Sequence, residues 1–174
     1  MKRSKRLILL PHCVLNQNAV VRDLAREPGS LSGLVRVCLE EGLGMIQLPC
    51  PEFTYLGAER PPMDREEYNA VAFRQHCRRL FAPVLEQVTE YLARGYRIVG
   101  LVGIAASPSC GLFTTHFRSG EGPGRGVFME EVLAALEGEG LSLPSLDVPL
   151  GYGVDAEETT AFLARFRAFC GGHP

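Results

Sequence analysis

No stretch of this chain approaches the roughly 20 consecutive apolar residues a membrane helix needs. No sign of charge dominates either: 18 Lys and Arg stand against 20 Asp and Glu, a net of −2. The first absence argues against a membrane-spanning helix, and the second removes the overall field that would draw nucleic acid or an anionic lipid surface. Neither membrane nor nucleic acid is therefore an expected partner. CxxC pairs, internal repeats, low-complexity tracts and a P-loop pattern are missing as well, which leaves no sequence-local zinc signature and no nucleotide cradle. The opening "MKRSKRLILLPHCVL" has the basic start of a signal peptide. Its apolar run is short, is broken by Pro11 and His12, and leads to no small-residue cleavage site. It reads as a basic tip followed by a strand, with a cytoplasmic location as the expectation.

What is present is enough to build a core. With 174 residues and 46% hydrophobic content, the chain has the size and balance of one globular domain over residues 1–174. Six cysteines in such a chain are not a disulfide framework, which serves small secreted domains. They are core filler, nucleophiles or metal ligands.

"RLILLP" and "GMIQLPC" are short apolar runs, and "YRIVGLVGIAA" is the clearest buried strand. "SLSGLVRVCLEEGLG" carries a helical stripe of Leu31, Leu34, Val35 and Cys38 that ends at glycine. "PEFTYLGAERPPM" holds too much Pro and Gly for regular structure. Asp64 with Glu67 forms a capping box predicted to open one long helix reaching about Arg94. After "SPSCGLFTTHFRSGEGPGRG", a glycine-rich loop expected to be a mobile connector, come a helix over 127–138, a strand near "LPSLDVPL" and a helix from Asp155 to about Cys170. Strand and helix alternate about four times. The pattern predicts an α/β, three-layer, Rossmann-like (flavodoxin-like) domain with a mostly parallel sheet of about four strands. In such sheets ligands bind outside the carboxyl ends of the strands, where strand order reverses.

The cysteines divide on that frame. Cys38, Cys77 and Cys170 each fall in register with an apolar helical stripe and read as small core residues. Cys13, Cys50 and Cys110 each fall just past the end of one of the first three predicted strands, in "LLPHCVLNQN", "QLPCPEF" and "SPSCG". If those strands are neighbours, the three thiols converge on one edge of the sheet. Three thiolates suit zinc with His12 or His116 as a fourth ligand, or an iron–sulfur cluster with one iron left without a protein ligand. A cysteine nucleophile with His12 or His116 as base, and a non-catalytic metal or redox sensor, are the competing readings.

"PHCVLNQN", "QLPCPEFTYLG" and "ASPSCG", in that order, resemble the TudS family of thiouracil desulfurases, and more closely a related desulfidase branch. The resemblance covers about the first two-thirds of the chain. It implies a [4Fe–4S] cluster held by Cys13, Cys50 and Cys110, with the open iron taking sulfur from a small thiolated compound such as a thionucleobase. It further implies Glu52 as the acid/base carboxylate and Ser107 as a hydroxyl touching the substrate. Asn16, Gln17 and Ser109 are the candidate substrate-binding residues beside them. "LNQN" and "FTYLGAERPP" depart from the plain thiouracil enzymes, and as expected pocket walls they leave the exact substrate open.

Overall fold

The structure, a computed structural model, describes residues 2–172. Its strands in chain order are β1 (Arg6–Pro11), β2 (Gly44–Leu48), β3 (Arg97–Ile104), β4 (Thr114–Phe117), β5 (Gly120–Pro123) and β6 (Ser145–Val148). Its α-helices are α1 (His12–Leu15), α2 (Ser32–Glu40), α3 (Pro51–Leu56), α4 (Arg65–Tyr68), α5 (Val71–Ala93), α6 (Val127–Gly138) and α7 (Ala156–Gly171). Every residue of β1 from Leu7 onward is buried. An apolar run without alternation fits only where both faces are covered. β1 accordingly lies inside a four-stranded sheet of order β2-β1-β3-β6, with every pairing parallel.

Two apolar layers cover that sheet. On one face Leu7, Leu9, Ile46 and Leu48 pack under α5 and α6 through Phe73, Cys77, Phe81, Phe128 and Val132. On the other Ile8, Leu10 and Val148 pack under α2 and α7 through Leu34, Cys38, Phe162, Phe166 and Cys170. This is the expected Rossmann-like three-layer arrangement, and Cys38, Cys77 and Cys170 are fully buried in it. The alternation slips once in β3. Ile98 and Leu101 face the first layer and Val99 and Val102 the second, because the register to β1 shifts between Leu7 and Ile8. Gly100 sits at that shift. A Cβ there would lie 2.2 Å from the Phe169 ring, so the bulge is filled by α7 rather than by a side chain of β3.

Three segments differ from the sequence expectation. "PEFTYL" forms α3 despite its proline, because Pro51 stands at the first helical position, where its missing N–H is no loss. Gly57, at φ +88°, then closes the helix. The Asp64–Glu67 capping box is real but opens the four-residue α4 and not the long helix. Residues 68 and 73 on one continuous helix would point about 140° apart. The break at Asn69 and Ala70 lets both rings into the core, where the Tyr68 and Phe73 centroids are 4.8 Å apart. Finally, the glycine-rich connector is an antiparallel β4–β5 hairpin. Its glycines hid the strand signal, yet they have a packing reason: a Cβ at Gly124 would come within 2.9 Å of the Phe117 ring. Arg118 anchors the hairpin to Asp64 and Glu66. No helix among the described residues is long and apolar enough to cross a membrane.

Candidate functional site

The chain reverses direction across the sheet at β1: β2 lies on one side, β3 on the other. The carboxyl ends of β2, β1 and β3 are therefore neighbours, and each is followed by one cysteine. Cys13 lies in α1 directly after β1, held there by Pro11 at the helix start. Cys50 is the N-cap of α3, and its sulfur accepts the Phe53 N–H at 3.4 Å. Cys110 sits in a tight loop after β3. All three residues are partly buried.

The Cys110 loop is tied from every side. Ser107 Oγ accepts the Cys110 N–H at 2.9 Å. The carbonyls of Pro108 and Ser109 accept the N–H groups of Val127 and Met129 at 3.0 and 3.1 Å, so the loop satisfies the free donors of the first turn of α6. Asp147, at the end of β6, accepts the N–H groups of Leu112 and Phe113, both at 3.0 Å. Gly126 completes the fit. A Cβ there would lie 2.3 Å from the Ser109 carbonyl carbon and 2.7 Å from the Cys110 nitrogen, both backbone atoms. Gly126→Ala is therefore expected to destabilise the protein by about 1–3 kcal/mol through overpacking. A urea unfolding midpoint equal to that of the wild type would show that the loop yields freely.

Charge concentrates at the same edge. Burial, then the neighbouring Cys50 and Glu52, push the Cys13 thiol up to about 12. Burial with Cys50, Cys13 and Glu52 pushes Cys110 well above its ordinary value, and burial raises Cys50 too. Cys13 thus feels the charge of Cys50, and Cys110 that of both, although their positions in sequence are far apart. Glu52 is buried, with Arg60 Nε donating to its Oε2 at 3.1 Å and the Ser109 hydroxyl donating to Oε1. The same Ser109 hydroxyl is 3.8 Å from the Cys110 sulfur. Arg60, also buried, donates to the Ala19 carbonyl at 2.7 Å. Tyr68 lies against this pair, buried, with a hydroxyl that has no hydrogen-bond partner. Burial and the Glu52 carboxylate raise its pKa far enough that it remains a neutral donor.

Other candidates fall differently. Gln17 is buried with both ends of its amide engaged: Nε2 donates to the Cys13 carbonyl at 2.6 Å and Oε1 accepts the Arg26 N–H at 2.8 Å. Asn16 accepts the Asn18 N–H at 3.1 Å and caps the short 3-10 turn of residues 17–19. His12 is held by the Gln47 amide at Nδ1, and its Nε2 lies 3.4 Å from the Asn16 amide. His116 stands exposed on β4. Among the described residues no histidine is hydrogen-bonded to a site thiol, and all three thiols have raised pKa values. That is opposite to what an activated cysteine nucleophile requires.

The side chains at this edge able to hold a soft metal centre are the three cysteines. Among the described residues no group of three or more His, Cys, Asp or Glu side chains is gathered as the ligands of one metal ion. A single zinc needs its ligands within about 2.3 Å of one point. Three thiols at three neighbouring strand ends are a soft-donor set of the kind an iron–sulfur cluster would take. Reading the sequence alone missed Arg26, Arg60, Tyr68 and Asp147. Of these only Asp147 left a trace, as a lone carboxylate in an apolar strand.

The fold and the site define an α/β protein with three cysteines just past neighbouring strand ends, at the switch point of a parallel sheet. Residues 5–130 match the family described as "Putative 2-thiouracil desulfurase", and the chain belongs to that family. A relative in Methanocaldococcus jannaschii, the uncharacterized protein MJ0003, is 33% identical over 147 residues, covering 84% of this chain and 88% of its own length. No solved structure gives a significant match.

Proposed function

We propose that the chain is an iron–sulfur desulfurase acting on a small thiocarbonyl compound, a thionucleobase of the thiouracil type being the substrate the family name supports. The observation that carries this reading is the convergence of Cys13, Cys50 and Cys110 at three adjacent strand ends, each thiol within reach of Glu52's charge. These three residues would hold a [4Fe–4S] cluster. When bound, such a cluster supplies a soft Lewis-acidic iron that draws electron density from a thiocarbonyl sulfur and makes the attached carbon electrophilic.

The rest is the work of the chain. Glu52 is fixed by Arg60 and Ser109 beside Cys50 and Cys110 and would take a proton from water attacking the carbon. Ser109 ties the Cys50 and Cys110 loops together through that carboxylate and so sets their spacing. Ser107, whose oxygen already accepts the Cys110 N–H, keeps its hydroxyl proton to donate to the substrate. Asn16 lies at the rim, while Gln17 acts from beneath by holding the Cys13 turn.

The test is anaerobic purification or reconstitution, followed by iron and sulfide analysis and a single-turnover assay with 2-thiouracil, 4-thiouracil and thioacetamide. Brown protein that releases sulfide from at least one of them is the expected result. Iron-loaded protein inert toward the whole panel would point to sensing in place of catalysis, and protein that takes up no iron would end the cluster reading.

A further inference from the structure

Several arginines of this protein find carboxylates: Arg22 pairs with Glu59, Arg65 and Arg74 with Glu130, and Arg167 with Glu40. Arg26 has no such partner among the described residues. Its side chain makes one hydrogen bond, from Nη1 to the Pro149 carbonyl at 2.7 Å. It is half-buried all the same. Burial lowers its pKa, and the charge that most opposes this shift is Cys13, followed by Glu158 and Tyr152. A guanidinium drawn partly out of water with donors to spare is costly to keep unless an anion comes to meet it.

The placement of Arg26 is built into the fold. Gln17 bridges its backbone N–H to the Cys13 carbonyl. Gly153, at φ +80°, presses from the opposite side. A Cβ there would come within 3.1 Å of the Arg26 Cβ and 3.2 Å of its carbonyl oxygen. Pro149 is the residue that follows β6. The side chain therefore runs across the carboxyl ends of the sheet from the Cys13 turn to the chain leaving β6, and β3, which leads to Cys110, lies between those strands.

We propose that Arg26 is an anion-binding residue of this site and holds the hydrosulfide that leaves the substrate carbon. The inference rests on the desulfurase reading. In that hydrolysis C=S and H2O become C=O, HS− and H+. A lone pair of the water oxygen forms the new C–O bond, and the electrons of the broken C–S bond depart with sulfur. One water proton goes to that sulfur and the other to the carboxylate, so no oxidant or reductant is consumed. The charge appears on sulfur at the edge Arg26 spans, and a fixed guanidinium there opposes its return to carbon.

Two measurements test this, on the wild type, Arg26→Gln and Arg26→Lys. In the full chain purified without iron, Cys13 is alkylated with anionic iodoacetate and with neutral iodoacetamide, and the Cys13 peptide is quantified by mass spectrometry. The ratio of the two rates cancels differences in thiol reactivity and reports attraction of an anion alone. Arg26→Gln is expected to lower that ratio about threefold, the effect of one unit charge several ångströms away in a water-accessible site, and Arg26→Lys to retain most of it. In iron-loaded protein, titration with sodium hydrosulfide followed by visible absorption is expected to show affinity about tenfold weaker for Arg26→Gln at unchanged iron content. An unchanged alkylation ratio, or equal hydrosulfide affinity, overturns the proposal. Should the wild type take up no iron, the desulfurase reading fails by itself, and the alkylation ratio still decides whether Arg26 binds anions.

Discussion

Serine at position 13, 50 or 110 is expected to reduce bound iron from about four atoms per chain to below one, while leaving a folded protein. Three thiolates are the fewest that hold a cube by three corners, and a hard hydroxyl is a poor substitute for a soft sulfur. None of the three is among the buried residues of the two apolar layers, although Cys110 packs against the edge of the first, so the sheet does not depend on them. Cys38→Ser is the matching control. Cys38 is fully buried between α2 and α7, and a hydroxyl there should destabilise the fold by about 1–3 kcal/mol without touching iron content. Iron, acid-labile sulfide and the urea midpoint are measured for all four variants. Equal iron retention in the four would refute the assignment of ligands.

Glu52→Gln is expected to keep iron and lose turnover by about a hundredfold or more, because an amide has the shape of the carboxylate but cannot take up the proton. The structure adds a complication that the sequence did not suggest. Glu52 is the partner of a buried arginine, and removing one half of such a pair leaves an uncompensated charge that costs about 3–5 kcal/mol. Lost activity could then reflect a loosened site. The double variant Glu52→Gln with Arg60→Met separates the two effects, since it removes both charges together. It should recover much of the unfolding midpoint and none of the turnover. Single-turnover sulfide release is the readout, with iron content measured on the same samples. A single variant that works at the wild-type rate would make Glu52 a structural tie between the Cys50 and Cys110 loops, through Ser109, and nothing more.

Tyr68 belongs to the same group by position. Its unpartnered hydroxyl beside the Glu52–Arg60 pair supplies a third donor if that carboxylate shifts from Ser109. Asp147 plays a different part, from beneath. Burial raises its pKa, against the pull of the Phe113 and Leu112 N–H groups, and its two oxygens still hold the chain just beyond Cys110. Cys110 is thus positioned by β6 and α6 as much as by its own strand.

Local pattern alone determined a large part of this protein. Apolar runs without alternation marked β1 and β3, and the prolines and glycines that stop them placed Cys13, Cys50 and Cys110 just past strand ends. Spacing of three and four residues put Cys38, Cys77 and Cys170 inside the layers, and α6 runs over the predicted residues 127–138. These features are legible because each is a property of ten or so consecutive residues and of the face they bury. Pattern misled where composition masked a packing reason, in the proline-led α3 and in the glycine-rich hairpin under Phe117. What only the tertiary structure decided is which segments meet. The order β2-β1-β3 turns three strand-end cysteines into one site. The Glu52–Ser109 contact joins residues 57 apart in sequence, and the hold of Pro149 on Arg26 joins residues 123 apart. A run of residues reports that a face is buried, but not against what, because pairing energy depends on the whole set of strands and helices competing for that face.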